Sequence, residues 1–248
     1  QVEQIRNAKN RSVCDDQNVL GRSYTCPNAA APVVRAEGQG ATGISEVDKA
    51  YDLSGATYDF YFSRFGRDSI NGAGMALKST VRHCPTGEGC PYQNAFWDGS
   101  QMVYGAGYAS ADDVVAHELT HGVTQYTSGL MYFSESGAIN ESMSDVMGEL
   151  VDLSSTVSGA DAPADRWLMG EQLPGGAIRS MKSPTIYGQP DRMTSAYFYG
   201  GLGDSRGVHS NSGVANKAAY LMVDGTAGEA GGAFNGQTVT GLGIVKTA

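Results

Sequence analysis

The sequence predicts an α+β protein with a β-rich first part and a mainly helical second part. Up to about residue 110 the apolar residues fall in short, often alternating runs broken by turn-forming residues, the signature of strands and turns. Beyond that point the apolar spacing lengthens to the three-to-four residue period of helices. The chain is also large enough to fold around a real core, with 248 residues of which 41% are hydrophobic.

Alternation is visible across 76–81. The clearest hairpin is Asn94-Ala95-Phe96-Trp97, then Asp98-Gly99, then Ser100 to Tyr104, because Asp-Gly between two apolar runs is the strongest short hairpin signal. One helix interrupts this part over 47–65, where Ala50, Tyr51, Tyr58, Tyr61 and Phe65 are spaced for one face. Residues 111–126 predict a helix with Gly129 beyond its end, and 138–153 predict another. A further helix is expected over 213–223, capped by Asn211 or Ser212. The glycine clusters at 170–176, 200–207 and 225–236 read as loops. The expected organisation is a β-rich lobe over 1–110, a central helix over 111–127 and a mainly helical lobe over 128–248.

A formal net charge of −9 and the lack of a basic stripe argue against a nucleic-acid partner and suit a protein that binds hard cations. No apolar run is long enough to span a bilayer, so no membrane role is expected. The opening Gln1-Val2-Glu3 lacks a charged-then-apolar leader, so either a leader has been removed or the protein is not exported. Cysteine usage favours export. Cys14 with Cys26, and Cys84 with Cys90, would each close a short loop as a disulfide. The alternatives are reduced thiols or a structural zinc of their own, although neither pair has the CxxC spacing of a zinc knuckle.

His117-Glu118-Leu119-Thr120-His121 lies in a predicted helix. Positions i and i+4 share a helix face, so the two imidazoles can hold one zinc ion with Glu118 beside its open position. HExxH alone also occurs in helices where both histidines are simply solvated. The following helix supplies a partner stripe: Glu141, Asp145, Glu149 and Asp152. If the two helices pack antiparallel, Glu141 meets His121 and becomes the third protein ligand. Asn140 and Asp145 are then placed to receive the free ring N–H groups and fix the tautomers. At the far end Asp113 meets Glu149 and Asp152, and Glu171 could complete an oxygen-only shell suited to calcium. The bland alternative for these acids is a solvated acidic face.

With these residues in place, the chain resembles the thermolysin family of zinc metalloendopeptidases, secreted bacterial neutral proteases. The matching segments are Asn94-Ala95-Phe96-Trp97, Asp113 through His121, Gly129-Leu130-Met131-Tyr132, Ser136 through Glu141, Ser144-Asp145, Ile178 through Met181, Gly207-Val208-His209 and Asn211-Ser212-Gly213. The resemblance implies a two-lobed fold with the zinc helix on the cleft floor. It implies that Glu118 is the general base acting on a zinc-bound water, that Tyr132 and His209 are oxyanion donors, and that Asp204 orients His209. It also implies that Asn94 and Ala95 bind an extended peptide along a sheet edge, and that Arg179 clamps a substrate carbonyl. Val114 and Ile178 would line the pocket after the scissile bond, so cleavage is expected on the amino side of bulky apolar residues. A zymogen form, with a propeptide or protein inhibitor as a partner, follows from the same resemblance. His83 has no matching context.

Three departures from the family qualify these expectations. Arg166 and Leu168 stand where the family's type member has acids, so one calcium is expected, held by Asp113, Glu149, Asp152 and Glu171 with the Leu168 carbonyl. The segment between Glu171 and Arg179 is short, so the loop that carries another calcium is expected to be absent. The family continues through further helices beyond the position matching Ala248, so the chain reads as truncated, or as nicked with its remainder bound separately. That last point raises an alternative: an inactive or nicked fragment acting only in binding.

Overall fold

The computed structural model describes residues 8–155, 157 and 162–247. A five-stranded mixed sheet forms the N-terminal region. Its strands are β1 (Arg11–Asp15), β2 (Val33–Ala36), β3 (Leu77–Val81), β4 (Ala95–Trp97) and β5 (Met102–Tyr104), in the order β2-β1-β3-β5-β4. β1, β3 and β5 run parallel, while β2 and β4 pair antiparallel at the two edges. Between β2 and β3 runs α1 (Ser45–Phe65), within one turn of its expected bounds. It stops at Gly66, whose φ of 63° is left-handed and turns the chain so that the Arg67 N–H reaches the Tyr61 carbonyl at 3.3 Å.

The expected hairpin forms, with Ala95 opposite Tyr104 and Trp97 opposite Met102. Its connection is longer than the Asp98-Gly99 pair. Asp98 Oδ1 accepts from the N–H groups of Ser100 (2.7 Å) and Gln101 (2.8 Å), so the aspartate caps a wider turn. Both expected disulfides are present, Cys14–Cys26 and Cys84–Cys90.

The second half is helical, with α2 (Asp112–Gln125), α3 (Ser134–Asp152), α4 (Asp204–Asn211), α5 (Gly213–Asp224) and the short α6 (Ile244–Thr247). A small ribbon, β6 (Leu168–Met169) with β7 (Arg179–Ser180), joins α3 to α4. α3 begins a turn earlier than its apolar spacing suggests. Gly137 lies in that added turn because a side chain there would sit 2.3 Å from Val208 of α4. The expected cap of α5 is a correction. Ser212 itself has helical dihedrals, and its Oγ donates to the His209 carbonyl, so α4 runs into α5 without a side-chain cap. Asn211 instead bonds the backbone of Tyr199.

One core fills the space between the sheet, α1 and α2, with Val47, Leu53, Tyr58, Leu77, Met102, Tyr104 and Leu119 all buried. Each large side chain of this kind stabilises the fold by about 1.5–3 kcal/mol. A second cluster, built on Phe60, Ala116, Met147, Leu150 and Val151, joins α1 and α2 to α3. α2 is therefore packed on both sides. Among the described residues no helix is long and apolar enough to cross a membrane.

Candidate metal centre and catalytic cleft

α2 and α3 bring together the residues spaced for it. His117 and His121 stand one turn apart, and their Nε2 atoms face each other at 3.0 Å. Glu141 of α3 meets both, with Oε2 3.5 Å from His117 Nε2 and Oε1 3.4 Å from His121 Nε2. Behind the rings, His117 Nδ1 lies 2.7 Å from Asp145 Oδ1 and His121 Nδ1 lies 2.8 Å from Asn140 Oδ1. Both oxygens are acceptors, so each Nδ1 carries the hydrogen and each Nε2 turns a lone pair towards the other. Two lone pairs and a buried carboxylate that converge this way repel one another unless a cation lies between them. Glu141 Oε2 is also buried without a hydrogen-bond partner. Two imidazoles and one carboxylate are a catalytic zinc donor set, and the residues fit that ion.

With no ion bound, burial alone would lower the His117 pKa, but Asp145, Glu141 and Glu118 outweigh it and raise it to about 8, so the same acids that favour a metal at Nε2 favour a proton there in its absence. Burial pushes Glu141 up, yet His117, His121, His209 and Arg179 hold it below the usual carboxylate range. Asp145 is buried too. Arg179 and His117 keep it ionised, with Arg179 Nη2 2.6 Å from Oδ1 and Nε 2.9 Å from Oδ2.

The site opens into a cleft of about 600 Å³ between edge strand β4 and the helical half. Asn94, Ala95, Val114, Glu118, Tyr132, Ile178, Arg179 and His209 line it alongside the three candidate ligands. Glu118 is buried, and its Oε2 accepts the backbone N–H of Trp97 at 3.0 Å. Tyr132 bonds Glu141 through its hydroxyl, which lies 2.9 Å from His209 Nε2. His209 Nδ1 meets Asp204 Oδ1 at 2.5 Å. Burial and the nearby Glu141 charge raise the Tyr132 pKa far above its ordinary value, so it stays a donor.

Two family models match the chain and meet just after α2. The family model "Thermolysin metallopeptidase, catalytic domain" matches residues 12–125, and "Thermolysin metallopeptidase, alpha-helical domain" matches residues 128–248. The solved precursor of protealysin, a metalloproteinase from Serratia proteamaculans, superposes with a TM-score of 0.72 at 37% identity, over 87% of this chain and 69% of that one. The chain belongs to the thermolysin family of metallopeptidases. A zinc metalloproteinase of Renibacterium salmoninarum is 46% identical over 267 aligned residues, 96% of this chain and 47% of the relative. A bacillolysin of Bacillus cereus is 42% identical over 258, covering 97% and 39%. The chain thus spans less than half the length of these relatives.

In this thermolysin-family chain the acids at the far end of α2 and α3 are shared out differently from the expected calcium set. Asp113 Oδ1 accepts the Val114 N–H at 2.6 Å, and its other oxygen takes the Gly170 N–H. Glu149 Oε1 accepts the Trp167 N–H at 2.7 Å. These two anchor the 167–170 segment to the helices. Among the described residues, the carboxylate oxygens of Asp112, Asp152 and Glu171 converge, all within 4.8 Å of one another. Asp112, unassigned by spacing, is the buried first residue of α2. Leu168 lies in β6, and Arg166 pairs with Asp224 at 2.7 Å. His83 is buried against Asp16, with Nδ1 2.8 Å from Oδ2.

Three contacts at the centre lay outside the sequence reading. The Trp97 N–H that holds Glu118 has no side-chain signature. Gln189 Nε2 donates to the His209 carbonyl at 2.7 Å from a loop of no clear pattern. Asn216 Nδ2 donates to Asp145 Oδ2 at 2.7 Å. A signal for Asn216 did exist, since it is the lone amide on the buried face of Ala219, Tyr220 and Val223.

Proposed function

We propose that the chain forms the catalytic part of a secreted zinc endopeptidase that cuts on the amino side of bulky apolar residues. The observation that carries this reading is the pair of Nε2 atoms 3.0 Å apart, each with its Nδ1 engaged elsewhere, facing the buried Glu141 carboxylate. His117, His121 and Glu141 would hold the ion. When bound, zinc supplies Lewis acidity towards water and the peptide carbonyl.

The chain's own groups do the rest. The Trp97 N–H fixes Glu118 Oε2, leaving Oε1 to take a proton from the attacking water and return it to the departing amine. Tyr132 Oη and His209 Nε2 donate to the oxygen on which charge develops, and Asp204 holds the imidazole towards it. Edge strand β4 binds an extended peptide at Asn94 and Ala95 by backbone pairing, because its outer edge faces the cleft. Val114 and Ile178 supply apolar wall for the side chain after the cut, and Arg179, held by Asp145, lies beside them to meet a carbonyl.

Two disulfides support an extracellular setting. One structural calcium is assigned to Asp112, Asp152 and Glu171, whose oxygen-only donors suit a hard cation. The likeness to a protealysin precursor supports a propeptide as a natural partner.

The test is metal analysis of the purified protein together with digestion of peptides carrying Phe or Leu after the expected cut, with and without a chelator. Zinc content, chelator-sensitive cleavage and internal cuts before Phe or Leu support the reading. Undiminished hydrolysis by metal-free protein overturns the mechanism, and binding without any cleavage would make the chain a binding fragment.

A further inference from the structure

Tyr132 and His209 meet at 2.9 Å although they come from separate segments, one entering α3 and the other within α4. The segment that delivers His209 has an unusual backbone. Asp204, Ser205, Arg206 and Gly207 have φ values of 52°, 46°, 66° and 83°, four consecutive left-handed residues of which three carry a Cβ. L residues avoid this conformation because the Cβ crowds the following carbonyl. Such a turn persists only where surrounding contacts over-determine it.

Two sets of contacts do so. The Asp204 carboxylate accepts the N–H groups of His209 (3.0 Å) and Ser210 (3.1 Å) and meets the His209 ring. The other contact is Arg206, whose guanidinium carbon lies 5.5 Å from the centroid of the Phe133 ring. Phe133 directly follows Tyr132. Glycine would suit the backbone at position 206 better than arginine does, so the side chain must supply the reason for the residue. Among the described residues Arg206 takes part in no ion pair, and Glu135 feels its charge only through space. Its defined contact is with the neighbour of Tyr132.

We infer that Arg206 is a positioning residue: its cation–π contact with Phe133 clamps the turn bearing His209 to the segment bearing Tyr132, so that two donors from distant parts of the chain converge on one point. The inference rests on the endopeptidase reading for its effect on turnover, but the clamp itself is a property of the free protein. An exposed cation–π contact of this kind corresponds to about a two- to fivefold effect.

The experiment compares R206G, R206K, F133L and the R206G/F133L double variant in the full chain with zinc, on a peptide carrying Leu after the cut. R206G should lower kcat about two- to fivefold with KM unchanged, while its thermal midpoint holds or rises because the left-handed penalty is relieved. R206K, which keeps the cation, should recover most of the turnover. F133L should match R206G, and the double variant should fall no further. Wild-type kcat in R206G, or a joint loss of kcat and midpoint that R206K does not rescue, overturns the inference. If the wild-type protein cleaves nothing, the endopeptidase reading fails and the clamp is read from the imidazole nitrogen spectrum of His209. Tyr132→Phe should then shift that signal in the wild-type background and not in R206G. An equal shift in both backgrounds overturns the clamp.

Discussion

Arg179 grips Asp145 with two parallel N–H bonds, Nη2 to Oδ1 at 2.6 Å and Nε to Oδ2 at 2.9 Å. Asp145 is thereby fixed as the acceptor for His117, and Asn216 satisfies the remaining lone pair at 2.7 Å. Asp145→Asn would replace an ionised acceptor with an amide and leave the half-buried Arg179 without that counter-charge. Zinc affinity should fall about ten- to a hundredfold, as measured by competition with a coloured chelator. Affinity equal to wild type would mean the tautomer of His117 is set by something else.

Glu118→Gln keeps the shape of the site and removes the proton acceptor. Zinc content should be unchanged while kcat falls about 10²- to 10⁴-fold. Near-normal turnover in that variant would remove Glu118 from the mechanism.

Gly148 lies where α3 crosses α2. A Cβ there would sit 2.6 Å from the Asp113 carbonyl oxygen, a backbone atom that cannot swing away. Gly148→Ala should force the helices apart and destabilise the fold by about 1–3 kcal/mol, read from denaturant midpoints. Because the metal ligands are divided between these helices, zinc affinity should fall with stability. A fully stable variant would show that the crossing has slack.

Bonds from Arg11 hold the Glu37 carboxylate at about 2, against partial burial that pushes it upward. The folded value lies below the ordinary 4.5, so the contribution is present above 4.5 and is lost as pH falls towards 2. Wild type should therefore be more stable than Glu37→Gln at pH about 6, and the gap should close on acidification. A gap that ignores pH would detach the pair from acid stability.

Calcium should raise the thermal midpoint of the wild-type protein and slow its self-digestion, with little effect on kcat. Asp152→Asn should abolish that response, since Asp152 is one of three acids whose oxygens converge. An Asp152→Asn protein that still responds fully to calcium would move the ion elsewhere.

What the residues alone determined is whatever depends on local periodicity. The i, i+4 spacing of His117 and His121 and the stripe of Glu141 and Asp145 put the right groups on facing sides of two helices. The hairpin at 95–104 and the helix over 47–65 were legible for the same reason, because each signal lies within a few residues of its effect. The tertiary structure alone decided what depends on how elements cross. Asp113 and Glu149 bond backbone N–H groups of the 167–170 segment, while Asp112 comes together with Asp152 and Glu171. The Trp97 N–H reaches Glu118 only because β4 ends beside α2, and a main-chain group leaves no trace in composition. Left-handed backbone at Ser205 and Arg206 is likewise invisible to propensity, because the turn is contacted by a residue distant in sequence, Phe133 at the start of α3.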